Sequence, residues 1–134
     1  MMDNKDIRWK QRFQNFKKAL SYLEEALDIE NPDMVQKAGL IQLFEISFEL
    51  AWKVLKDYLE EQGIKELKYP REIIKNAFQA QLIEDGHTWM KALTDRNLTS
   101  HTYNETIANE IVSEIRKQYY PVLKQCYNNL ESKV

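Results

Sequence analysis

The chain has 134 residues and a mass of 16.0 kDa; 30% of the residues are charged and 43% hydrophobic, which suits one domain, 1–134, with its own core and excludes disorder. A net charge of −2 and a pI near 5.8 exclude a protein coated in nucleic acid, so any RNA contact has to be local and transient. The single cysteine, Cys126, excludes an internal disulfide, and three Gly with three Pro are too few for a turn-rich β-sandwich.

Met1 to Arg12 is charged and lacks the apolar core of a secretory signal, and no apolar run approaches the roughly 18 residues of a membrane span. The expectation is a soluble cytoplasmic domain without membrane contact. A first helix is predicted from about Asp6 to Leu27, because Trp9, Phe13, Phe16, Leu20, Leu23 and Leu27 alternate steps of four and three along one seam. Asn31 then serves as N-cap and Pro32 as first residue of a second helix, which runs to about Gln62 and stops at Gly63. Gln42, Glu45, Glu49, Lys53, Lys56 and Glu60 give this helix a polar stripe. Most of its remaining circumference, from Leu40 to Leu59, is apolar, which is more than one small bundle covers and predicts a subunit interface.

Tyr69-Pro70 opens a shorter helix with Ile73, Ile74, Ala77 and Phe78 inward, ending near Leu82 and Ile83. Asp85-Gly86 makes a turn, and a further helix carries Trp89, Leu93 and Leu98. Asn104 reads as the N-cap of the last helix, with Glu105 suited to the dipole in its first turn. Ile107, Ile111, Ile115, Tyr119, Val122 and Cys126 follow, with a bend near Pro121. No strand alternation or internal repeat interrupts the pattern. The fold class is all-α: an antiparallel up-and-down bundle of four to five helices, dimeric through its second helix.

The stretch Arg96-Asn97-Leu98-Thr99-Ser100-His101-Thr102-Tyr103 carries the candidate chemistry. RNA is cut without a metal when its own 2′-hydroxyl attacks the adjacent phosphate, a reaction that asks the protein for proton transfer and for a cation near phosphorus. Histidine, with an unperturbed pKa of about 6.5, suits the first task, and the planar arginine fork suits the second. Arg96 and His101 are one of each, with the polar Asn97 and Thr99 between them in supporting positions. On a continuous helix the two would point roughly 140° apart. Convergence on one phosphate then needs the helix to end between them, or a second copy of the motif to face the first. The same spacing also suits a purely structural helix end, where an arginine is favoured by the dipole alone.

Other positions have simpler readings. His87 is an exposed first-turn residue, and two distant histidines without paired cysteines give no zinc spacing. No Gly-rich phosphate loop occurs. Glu45 and Glu49 lack a Glu-x-x-His partner and read as a solvated stripe, with Glu49 and Lys53 paired. Lys65, Lys68, Arg71 and Lys75 are diluted by Glu66 and Glu72 and read as a solvated helix start. Cys126 sits on a seam as a small core residue. No metal and no cofactor is expected.

The tract from Phe78 to Gly86, then Trp89, then Asp95 to Glu105, resembles one family. So does Phe44-Glu45 with Phe48 to Leu59 in the second helix. The family is the nucleotidyltransferase substrate-binding proteins of the HEPN class, which include HepT-like toxins, and the resemblance covers nearly the whole chain. It implies a homodimeric helical bundle with a minimal nucleotidyltransferase of the DNA polymerase β-like superfamily as partner. It also implies one of two activities. In the first, the chain is a metal-independent ribonuclease toxin with RNA as substrate and Arg96 and His101 as catalytic residues, silenced when the partner, an antitoxin, transfers AMP to the motif tyrosine, here Tyr103. In the second, it resembles the helical domain of kanamycin nucleotidyltransferase and is a non-catalytic substrate- or nucleotide-binding subunit that completes a two-component nucleotidyltransferase.

Overall fold

Helix α1 spans Asn4–Leu27 and buries Trp9, Phe13, Phe16, Leu20 and Leu23, the seam its spacing selects. The computed structural model describes residues 4–134, with side chains from Arg8 onward except those of Leu98 and Thr99. The main partner of α1 is α2, Met34–Glu61, reached through the short connection 28–33, so the two lie antiparallel. The sequence puts the N-cap of α2 at Asn31, and here the structure differs. Asn31 takes a left-handed φ of 49°, a conformation that Asn tolerates. Asp33 caps instead, its carboxylate accepting from the Gln36 N–H at 2.8 Å while Gln36 Oε1 accepts from the Asp33 N–H at 2.9 Å. This reciprocal box satisfies two otherwise orphaned donors, whereas Pro32 has no N–H to offer.

Gly63 ends α2 at φ 96°, with the Ile64 N–H returning to the Leu59 carbonyl and the Gly63 N–H to Glu60. Helix α3, Pro70–Gln79, stops the same way, the Leu82 N–H bonding the Ala77 carbonyl at 2.9 Å. Its left-handed position, at φ 62°, is occupied by Gln81 rather than glycine. A β-carbon there is strained, so Gln81→Gly is expected to stabilise the fold by about 0.5–1 kcal/mol in chemical denaturation. An unchanged or lower midpoint would mean that the Gln81 side chain makes up for the strain. The early stop also corrects one inward assignment: Phe78 is 51% exposed and lies across Gly86, where a β-carbon would meet its ring at 3.3 Å. Leu82 and Ile83 are buried through the turn that follows.

Asp85 is the N-cap of α4, Gly86–Asp95, accepting from the Thr88 N–H at 3.0 Å and the Thr88 hydroxyl at 2.6 Å, bonds that hold its carboxyl below the usual range. A 3-10 turn, Arg96–His101, leads to α5, Glu105–Glu114, and α5 continues into α6, Tyr120–Glu131, through a π-helical turn at Ile115–Tyr119. The bend expected at Pro121 takes the form of that turn. Proline has no N–H and its ring crowds the carbonyl four residues back, so the ladder widens and the Tyr120 N–H donates to the Ile115 carbonyl. Counting α5 and α6 as one rod, the described residues form five helical rods without a strand, as the sequence predicts.

The rods meet on aromatic contacts that centre on α2. Phe44 stacks on Tyr119 of the π turn at 5.4 Å, Phe48 meets Trp89 of α4 at 5.6 Å, and Phe13 of α1 stacks on Tyr127 of α6 at 5.3 Å. Helix α4, before the motif turn, and the π turn that follows α5 are thereby fixed to α2. The contact of α2 with α1 also holds a buried charge. Asp57, 4% exposed, has Arg12 Nη1 at 2.9 Å without hydrogen-bond alignment. Burial pushes its carboxyl up, and the Arg12 and Arg8 guanidiniums pull it partly back. Much of the apolar circumference of α2 is covered within the chain. Leu43 and Leu50 stay half-buried and Ile46 is 41% exposed, on one flank at spacings of three and four.

Candidate active site

The α-helical winding of α4 ends at Asp95, one residue before the motif, and Arg96 to His101 wind as a six-residue 3-10 helix. Such a helix turns about 120° and rises about 2.0 Å per residue, which carries His101 about 10 Å along the axis and about 120° around from Arg96. The tighter winding alone therefore does not bring the two backbone positions to one side. Arg96 is half-buried at the C-terminal end of α4, where a cation also suits the dipole. Asn97, Ser100 and His101 are exposed, and the Thr99 side chain lies outside the described residues.

His101 and Tyr103 do come together. Their rings meet edge-on, with centroids 6.1 Å apart and planes at 61°, and Tyr103 is 81% exposed. An extended segment would also put residues two apart on one side, but the backbone here is a compact turn, with Thr102 at φ −67° and ψ −15°. Asn104 closes it. Its N–H donates to the His101 carbonyl at 3.0 Å, while its side chain caps α5 by accepting from Thr106 and Ile107. The motif thus hangs between the end of α4 and the start of α5, and a Lys91–Glu114 ion pair at 2.9 Å links the middle of α4 to the far end of α5.

Two features beside the motif have no single sequence signature. The Tyr119 hydroxyl, on a fully buried ring, donates to Asp95 Oδ2; burial first, and the carboxylate second, push this phenol far above its ordinary range. An open groove of about 490 Å3 runs between α4 and α5, lined by Asp95, Glu110 and Glu114 against Lys91. Three carboxylates against one ammonium disfavour a phosphate in the groove.

An exposed imidazole can take or give a proton at a bound hydroxyl, a guanidinium can hold phosphate oxygens, and an exposed phenol can accept a transferred group. No cluster of His, Cys, Asp and Glu able to hold a metal occurs among the described residues, and no helix there is long and apolar enough to cross a membrane. His87 is exposed in the first turn of α4, and Cys126 is a buried free thiol whose pKa burial pushes up.

Known proteins are similar to this chain in sequence and fold. A Thermus thermophilus protein of known crystal structure is 34% identical, with a TM-score of 0.79 over 86% of this chain and 98% of that one. A Haemophilus influenzae protein, described as revealing the fold of a substrate binding domain of a nucleotidyltransferase, is 25% identical, with a TM-score of 0.65 over 96% of this chain and 99% of that one. The probable ribonuclease HepT of Haemophilus influenzae is 33% identical over 91 residues, a match that takes in 63% of this chain and 62% of that protein's length. Residues 11–132 match the nucleotidyltransferase substrate binding protein like family, and the chain belongs to that family.

Proposed function

We propose that this protein is the helical partner of a minimal nucleotidyltransferase and, in its own right, a metal-independent cytoplasmic ribonuclease that the partner silences by moving AMP onto Tyr103. The observation that carries the reading is the exposed turn in which the His101 ring meets the Tyr103 ring, with Arg96 at its start. The likeness to a probable ribonuclease HepT supports it. His101 takes the 2′-hydroxyl proton as the oxygen attacks phosphorus, and Arg96 balances the charge on the non-bridging oxygens. The 5′-oxygen leaves with a proton, so the products are a 2′,3′-cyclic phosphate and a 5′-hydroxyl.

One chain supplies a single histidine to the motif, whereas the reaction uses both a base and an acid. A homodimer with two motifs in one cleft supplies the second His101, and the half-covered strip Leu43, Ile46 and Leu50 is an apolar face for such a contact. Sedimentation at micromolar concentration is expected to give about twice 16.0 kDa; a monomer there would count against the shared cleft. The family description and the Haemophilus substrate-binding relative favour a second reading, a non-catalytic subunit whose Arg96 holds a nucleotide phosphate for the partner. Incubating the isolated protein with RNA and EDTA separates the two. Fragments ending in cyclic phosphate support the ribonuclease, and intact RNA leaves the binding subunit.

A further inference from the structure

Asp95 sits at a place that electrostatics disfavours. It is the last residue of α4, where the helix presents its negative end and a carboxylate is repelled. A charge set against its local field marks a site where another requirement wins. Here that requirement is visible, because Asp95 accepts the hydroxyl of Tyr119 from across the bundle. Tyr119 is fully buried, stacked on Phe44, and ends the π turn that Pro121 favours. Each constraint acts on where this one hydroxyl points. The next residue after Asp95 is Arg96, and from there the chain runs six residues as a 3-10 helix, longer than the three or four at which such helices usually stop. A winding with poor internal hydrogen bonds depends on its fixed ends for its course. Asn104 fastens the far end through the His101 carbonyl, and Tyr119 fastens the near end through Asp95.

We infer that Tyr119 is a positioning residue for the turn that carries Arg96 and His101, acting through the Asp95 carboxylate that its hydroxyl holds. The inference rests on the ribonuclease reading for its catalytic consequence, but its geometric part does not. Tyr119 touches no substrate. It sets the direction from which Arg96 leaves α4, and a displacement of about 1 Å at such a point can cost on the order of 100-fold in rate.

The test uses the full-length protein and Tyr119→Phe, which keeps the ring and its stacking on Phe44 and removes only the oxygen. Cleavage of RNA is expected to lose about 10- to 100-fold in kcat with little change in KM. The His101 ring resonance, followed by NMR during titration with inorganic phosphate, is expected to start from a shifted position and respond more weakly. Asp95→Ala, which removes the acceptor of that hydroxyl, should behave as Tyr119→Phe in both measurements. A Tyr119→Phe protein with wild-type kcat and an unaltered His101 titration overturns the inference, even if its melting temperature falls, because a merely structural bond would do only that. If the wild-type protein cuts no RNA, the ribonuclease reading fails separately, and the His101 titration alone decides the role of Tyr119.

Discussion

Replacing His101 with alanine is expected to reduce RNA cleavage by about 10²- to 10⁴-fold, the range that positioned proton transfer contributes. The side chain is exposed at the end of a 3-10 turn, so the loss should come without unfolding. Far-UV circular dichroism and the melting midpoint should therefore match wild type within about 0.5 kcal/mol, the usual range for a surface substitution. Arg96 calls for a gentler change, because it is half-buried at a helix end and truncation would also remove a favourable dipole contact. Arg96→Lys keeps the charge and discards the planar fork, so a fall in rate with unchanged stability would assign the fork to phosphate. The decisive measurement is cleavage by purified protein in EDTA. Full activity in His101→Ala would move the chemistry to other residues.

Incubation with the partner nucleotidyltransferase and ATP is expected to add one AMP to each chain, read as intact mass, and to abolish cleavage. The phenol oxygen of Tyr103 attacks the α-phosphorus of ATP, the bond to the β-phosphate oxygen breaks, and pyrophosphate leaves while the phenol proton passes to a base. Because the Tyr103 ring lies edge-on to His101, the new phosphodiester would sit beside the proposed catalytic imidazole, where its charge and bulk oppose a substrate phosphate. Tyr103→Phe should take up no AMP and stay active in the presence of the partner. Equal uptake by wild type and Tyr103→Phe would place the acceptor elsewhere, and no uptake by wild type would remove this mode of silencing.

The sequence carried the rods and most of the core, because alternating steps of four and three are direct consequences of helical geometry. Trp9, Phe13, Phe16, Leu20 and Leu23 of α1 are all buried on that rule. Caps were less legible, since Asn31 and Asp33 are both good N-cap residues two positions apart, and only the Gln36 that reciprocates Asp33 distinguishes them. Phe78 failed because a helix of ten residues ended by a left-handed Gln81 stops one turn sooner than an apolar count suggests. The π turn did leave a trace. Ile107, Ile111, Ile115, Tyr119, Leu123 and Tyr127 step by four throughout, and five such steps on a regular helix drift by about 200°, of which one inserted residue returns about 100°. At the site, the meeting of His101 with Tyr103 depends on the compact turn at Thr102, where spacing alone would need an extended segment, and the Tyr119 bond to Asp95 spans 24 positions and needs the packed bundle to appear.

The exposure of Tyr103 bears on how quickly such a protein can be switched. With 81% of its surface in solvent on a turn between two helix ends, its hydroxyl is reached without opening the bundle or moving a helix. The proposed transfer to Tyr103 therefore needs no unfolding step before the partner meets it. The rate should rise in proportion to partner concentration, fall with added salt where charges steer the approach, and stay indifferent to substitutions that loosen the core.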